Sequence, residues 1–203
     1  MQGFETKRNF IMQKIHVTIN GVTPLLMNRF TEDAAIKVSA GTSSAITTGG
    51  KATPREQAQN KAYSDESGNL YIPGPNIFSC IIEAGKFHKA GKSKITTKKS
   101  SLIPAGIAVS EIVCPLGTKN FEVDSRSVVI PATGGRIMAH RPRLDEWMLS
   151  FTLEVDDSMF ASDLVRQIVD DAGRKVGLGD FRPDRKGPFG KFVVTKWQVE
   201  KAA

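Results

Sequence analysis

Residues 15–20 alternate without a break: Ile15, Val17 and Ile19 are apolar, and His16, Thr18 and Asn20 are polar. A period of two sends successive side chains to opposite faces, so this segment predicts a strand with one buried face. Apolar positions continue at Val22, Leu25 and Leu26, with Pro24 marking an edge or a bend. A second clean alternation covers 147–155, where Trp147, Leu149, Phe151, Leu153 and Val155 share one side. The period then changes. Across 159–172, Ala161, Leu164, Val165, Ile168, Val169 and Ala172 form a helical stripe, with Asp157 or Ser158 as N-cap and Gly173 as stop. Ile77, Ile81 and Ala84, flanked by Phe78 and Ile82, predict another helix from Asn76 that Gly85 ends. The run 191–199, KFVVTKWQV, has the β-branched and aromatic content of a last strand.

Weaker patterns fill the rest. Residues 102–114 read as a buried strand kinked at Pro104, Ser127 to Ile130 as a short strand, and 134–136 as a turn or hairpin tip. Residues 54–63 suit a short polar helix with Pro54 at its first position, followed by a DESGN turn and an extended LYIP. Residues 31–53 carry Gly, Thr, Ser and Ala without periodicity, so the span 31–70 is set apart as a flexible insertion. In order, the elements spell β-α-β-β-α-β: an α+β, ferredoxin-like (RRM-like) antiparallel sheet with both helices on one face and a long insertion after the first strand. A chain of 203 residues suits one such domain, 1–203.

Charge adds a partner to this picture. The net charge is +7, which favours polyanions. It falls in three clusters: 86–99 holds six lysines and no acid, 174–191 holds six basic residues against Asp180 and Asp184, and Arg136, Arg141 and Arg143 surround His140. Acid-poor clusters of this kind suit a surface that tracks phosphates. Cys80 and Cys114 are far apart and form no CxxC pair, so they read as buried apolar residues in a reducing, cytoplasmic setting. Three histidines give no metal cluster, and no metal or cofactor is expected. No apolar run reaches the ~20 residues of a membrane helix, and the first residues lack the apolar core of a signal peptide.

The segment richest in chemistry is 174–191. Glycines 177, 179, 187 and 190 would let backbone N–H groups approach an anion, with Arg174, Lys175, Arg182, Arg185, Lys186 and Lys191 as candidate contacts to phosphate oxygens. The spacing is not a dinucleotide fingerprint, which follows a strand and opens a helix, and no GK[ST] follows to make a P-loop. The competing reading is a mobile connection with incidental charge. Arg136, His140, Arg141, Arg143, Lys86 and Lys89 join the candidate phosphate contacts, with His88 treated alike. Phe181 and Phe189 either stack on bases or anchor the loop in the core, and Trp147 and Trp197 read as core. The polar sheet face lacks the aromatic platform of an RRM.

The glycine-rich run GLGDFRPDRKGPFG before the last strand resembles the signature of the RAMP superfamily of CRISPR-associated proteins. DESGNLYIPGPNIFSCIIEAGK (65–86) is similar to the segment of acidic turn, "YIPG" and helix in the superfamily's crRNA-binding backbone subunits. The resemblance implies a non-catalytic subunit that grips single-stranded guide RNA in repeated copies, beside other effector subunits, with the insertion as a finger or thumb. This chain departs from the pattern after "IPG", where Pro75, Asn76, Ile77, Phe78, Ser79 and Cys80 replace small and basic residues. Some backbone subunits carry a catalytic aspartate after the first strand; only Asp33, beside Glu32, stands there, so no catalytic residue is assigned. Two alternatives remain: a metal-independent repeat-RNA endoribonuclease using His140 as base, and a single-stranded DNA-binding protein.

Overall fold

Ile15, Val17 and Ile19 are withdrawn from solvent, whereas Lys14 and His16, on the opposite face, are exposed. That asymmetry makes β1 (Met12–Gly21) a central strand covered on one side. The structure, a computed structural model, describes residues 12–30, Ser39, 52–129 and 134–200. β1 pairs with β10 (Met148–Asp156) and with β11 (Phe192–Val199), and β10 pairs with β6 (Ile107–Val109), all antiparallel. The sheet order β11-β1-β10-β6 is the 4-1-3-2 arrangement of a ferredoxin-like fold. α2 (Gly74–Ala84) and α4 (Ser162–Asp171) supply Ile77, Ile81, Ala84, Val165, Ile168 and Val169 to the core shared with Ile15, Phe151 and Leu153. The expected fold class is the observed one.

Smaller elements surround this sheet. β2 (Leu25–Leu26) pairs with β9 (Arg136–Leu144), which pairs with β8 (Glu122–Val129) as a long two-stranded ribbon. β3 (Tyr71–Pro73) pairs with β7 (Val113–Pro115), and β4 (Lys89–Ala90) with β5 (Ser93–Lys94). α1 (Pro54–Asn60) lies against β8 and β9. It starts from a capping box in which Glu56 N donates to Thr53 Oγ1 and Thr53 N donates to the Glu56 carboxylate.

The structure revises several local expectations. Of the span 31–70, residues 52–70 contain α1 and pack against the body, with Ala58, Ala62 and Leu70 buried. Residues 31–53 otherwise lie outside the described residues, except Ser39, Ala52 and Thr53. Pro104 does not kink a strand. It sits in the first turn of α3 (Ile103–Gly106), where a missing N–H is harmless, and two short strands follow. The short strand at 127 is the end of the longer β8; Ile130 and 131–133 lie outside the described residues, and Arg136 opens β9. Neither Asp157 nor Ser158 caps α4. The Asp156 carboxylate accepts from Ser158 N and Oγ, which forms a separate turn, and Ala161 is the N-cap. Gly173 does not stop the helix either, because a π-turn, Ala172–Val176, continues it.

One sheet edge is closed in an unusual way. Beyond β6, Ser110 N donates to Thr152 O, and Thr152 N donates to the Glu111 carboxylate at 2.7 Å. A side chain thus replaces the next residue of the ladder.

Candidate nucleic-acid interface

The glycine-rich connection is a braced loop, not a mobile one. Leu178 N donates to Gly190 O, Gly190 N to Pro24 O, Asp180 N to Leu26 O and Gly187 N to Arg182 O, all at 2.8–2.9 Å. Lys191 N adds a bond to Thr23 Oγ1. Its glycines serve this bracing. A Cβ on Gly187 would fall on Phe181 O, and one on Gly190, where φ is 69°, would fall on Leu178 O. The expectation that these glycines bring free N–H groups to an anion is therefore corrected: the N–H groups of Gly177, Gly187 and Gly190 all donate within the protein. Gly179 is packed as closely, against Leu26 O.

The cations are also more neutralised than the sequence suggests. Arg174 and Lys175 each reach the buried Asp171 carboxylate at 2.7 Å. Burial pulls that carboxyl upward, but hydrogen bonds and charge from Lys175 and Arg174 outweigh it and hold the pKa below its ordinary value. His88 lies 3.1 Å from the same carboxylate, out of hydrogen-bond alignment and largely buried, so it is an internal residue and not a phosphate contact. Lys86 bridges Asp184 at 2.9 Å and Glu83 at 3.3 Å. Arg182 donates to Gly179 O and approaches Asp184, which Arg185 approaches as well. Arg141 faces Asp180 at 2.8 Å, as a charge pair without hydrogen-bond alignment, and Arg143 faces Asp145. The pairing is partial. Among the described residues, Lys86, Arg141, Arg174, Lys175, Arg182 and Arg185 share only Glu83, Asp171, Asp180 and Asp184, and the side chains of Arg174 and Arg185 are 68% and 69% exposed. Lys186 is exposed and Lys191 half-buried, and neither meets a carboxylate among the described residues.

Between the loop and α2 lies a groove of about 300 Å³. Asn76, Ser79 and Cys80 of α2 line one side, Gly177, Leu178, Gly179, Asp180 and Arg182 the other, with Asn28 and Tyr63 completing it. The two motifs at 65–86 and 174–191, distant in sequence, are thus walls of one site. The Cys80 thiol donates to Gly177 O at 3.3 Å, and burial pushes its pKa up to about 12, so it is a packing group here. Asn28, Tyr63, Asn76 and Ser79 escaped the sequence reading. Only the helical spacing of Asn76 and Ser79, three apart, hinted at a shared polar face. Lys61 and Arg126 also escaped it. Lys61 is half-buried, and burial and then Arg141 lower its pKa against the pull of Asp180. Arg126 lies 4.7 Å from the centre of the Phe189 ring, which ties the ribbon to the loop. Phe189 is buried and anchors the loop, while its neighbour Phe181 stays 37% exposed.

Neither any known protein-family profile nor any curated protein matches the chain. Among solved structures, a chain from the cryo-EM structure of the Type III-B Cmr-beta bound to cognate target RNA is similar, with a TM-score of 0.55 and 13% identity. The likeness covers 95% of this chain and 62% of that one, and it is a likeness of fold.

The remaining candidates do not line the groove. His140, in β9, meets the Ser125 hydroxyl through Nδ1 at 2.7 Å, across the ribbon. Arg136 is exposed at the ribbon's far end, and Lys89 is exposed on β4. Trp147 is buried, and Trp197 is half-buried beneath Arg166. On the open sheet face, His16 bonds Glu200 and Thr152, and Thr18 bonds Ser150, so that face is occupied with its own hydrogen bonds. Among the described residues, no group of three or more His, Cys, Asp or Glu side chains is placed to hold a metal ion, and no helix is long and apolar enough to cross a membrane.

Proposed function

We propose that this chain binds single-stranded RNA along its sugar-phosphate backbone, as a non-catalytic guide-RNA-binding subunit of a CRISPR-type ribonucleoprotein resembling the RAMP superfamily. The observation that carries the reading is the groove between α2 and the braced loop, with Arg182 in its wall and the exposed Arg185 and Lys186 following in the chain. Its polar lining of Asn28, Asn76 and Ser79 suits sugar and phosphate oxygens. Likeness of fold to a chain of an RNA-bound complex supports the same reading. Assembly with further copies of itself and with other effector subunits belongs to this proposal.

Fluorescence anisotropy with unstructured RNA across a salt series tests it. On a single strand, log K falls by about 0.7 per log unit of salt for each phosphate neutralised. The triple change Arg182→Ala, Arg185→Ala, Lys186→Ala should weaken binding to every sequence and flatten the slope by about 2. Because Arg182 also bonds Gly179 O, the double change at Arg185 and Lys186 is run beside it, with thermal melts of both. Undiminished affinity in both variants would refute the loop's role. Nucleic acid that copurifies should yield to RNase; removal by DNase alone would move the assignment to single-stranded DNA. Hairpin RNA should stay intact in EDTA, and cleavage that vanishes in His140→Ala would make the chain a nuclease.

A further inference from the structure

Among the described residues, more lysines without a carboxylate partner stand on residues 89–99 than on the glycine loop. Lys89, Lys92, Lys94, Lys98 and Lys99 are all exposed, and none reaches a carboxylate among the described residues. Their scaffold presents them outward. β4 and β5 form a hairpin two residues long on each strand, turning at Gly91 with φ 61°. Its base is held by the body: Ile95 is buried, Ile95 N donates to His88 O, and Thr96 N donates to Gly85 O. The neighbouring turn is built by Thr97, whose hydroxyl accepts from Lys99 N and Ser100 N, so Lys98 and Lys99 sit at its tip.

This arrangement carries an electrostatic cost. Lys89 and Lys94 are direct cross-strand partners, and like charges placed opposite each other destabilise a pair. A hairpin this short contributes little stability to offset that repulsion. A polyanion would remove it. The hairpin also adjoins the loop side of the groove: Lys86 bridges Asp184, and His88 meets Asp171 beside Arg174 and Lys175. Between them stands Phe87, 45% exposed, with Lys175 Nζ 4.6 Å and Lys86 Nζ 5.4 Å from its ring centre. An aromatic ring set among lysines suits a base that stacks while its phosphates are held.

We propose that the β4–β5 hairpin and the turn at 97–100 form a second nucleic-acid surface, which holds the part of the strand that runs beyond the groove, with Phe87 as a stacking post between the two. The inference rests on the RNA-binding reading of the groove and extends its footprint. Lysines carry it as point charges, so the surface tracks phosphates and reads no sequence.

The test changes Lys92, Lys94, Lys98 and Lys99 to Gln together, with Lys98→Gln, Lys99→Gln as a milder partner, and melts both to check folding. RNA oligomers of about 5 and about 20 nucleotides are compared, one near the lower end of the site sizes of single-strand binders and one beyond their upper end. The quadruple variant should bind the longer RNA at least about tenfold more weakly at low salt, with a slope flatter by about 0.7 for each lysine engaged. The shorter RNA should bind both proteins within about twofold. Equal affinity of wild type and variant for the longer RNA would overturn the inference, as would an equal loss on both lengths, which would make the lysines a diffuse field around the groove. Retained RNA affinity with lost binding to phosphatidylserine vesicles would overturn it in favour of a lipid surface. Wild-type protein that binds neither oligomer would sink the groove itself, a separate failure.

Discussion

Replacing Gly190 by alanine separates a braced loop from a merely flexible one. Gly190 has φ 69°, so any L side chain there sits in the left-handed region, at a cost of about 1–2 kcal/mol. The new Cβ would also land on Leu178 O, while the Gly190 N–H bond to Pro24 O and the Leu178 N–H bond to Gly190 O hold the backbone in place. Relieving overlap in packed surroundings costs about 1–3 kcal/mol more, so the total is about 2–5 kcal/mol, a large part of the 5–15 kcal/mol that holds a typical domain. Gly68 is the control. Its φ is 81°, but nothing lies within 4 Å of an added Cβ, so Gly68→Ala should show only the conformational part. Urea unfolding followed by the fluorescence of Trp147 and Trp197 reads both variants. In a thermal melt each kcal/mol corresponds to about 2–4 °C for a domain of this size. If Gly190→Ala destabilises no more than Gly68→Ala, the loop yields to a methyl group and the bracing argument is wrong.

Two further outcomes follow from the charges and thiols. Asp171→Asn leaves Arg174, Lys175 and His88 without their shared carboxylate, and should cost about 1–2 kcal/mol at pH 7, since two of those partners are solvent-screened. The folded pKa of Asp171 lies below its ordinary 3.8, so its contribution is complete above that value and fades as pH falls further. Denaturant curves of wild type and variant should therefore converge in acid; a gap that persists well below pH 3.8 would contradict the ion-pair account. Burial pushes Cys80 to about 12 and Cys114 to about 11, so neither should react with a thiol reagent at pH 8 until the protein unfolds. Rapid reaction of the native protein would show that the wall of the groove opens.

The sheet was readable because burial stamps a period on the chain. β1 and β10 each bury every second residue, and α4 buries one stripe, so Ile15 to Ile19, Leu149 to Val155 and Leu164 to Val169 announced themselves. β8 did not, because a projecting ribbon exposed along most of its length need not alternate: Ser125, Arg126 and Ser127 are all exposed in succession. The loop's position was legible from its glycines, yet their purpose was not. Whether a missing Cβ makes room for a ligand or for Leu178 O depends on a neighbour that only the folded chain supplies. The charge clusters misled for the same reason. Asp171 fell outside the basic run as counted along the chain, and it neutralises Arg174 and Lys175 from one helical turn away. The acid-poor run of lysines around β4 and β5 stood out in the sequence, whereas the absence of partners from elsewhere in the chain appears only in three dimensions.

The Glu111 carboxylate sits where a carbonyl of a longer β6 would accept from the Thr152 N–H. A foreign strand that continued the line of β6 along β10 would meet this carboxylate at Thr152 instead of an open amide hydrogen. The side chain thus guards the strip of β10 that the short β6 leaves uncovered.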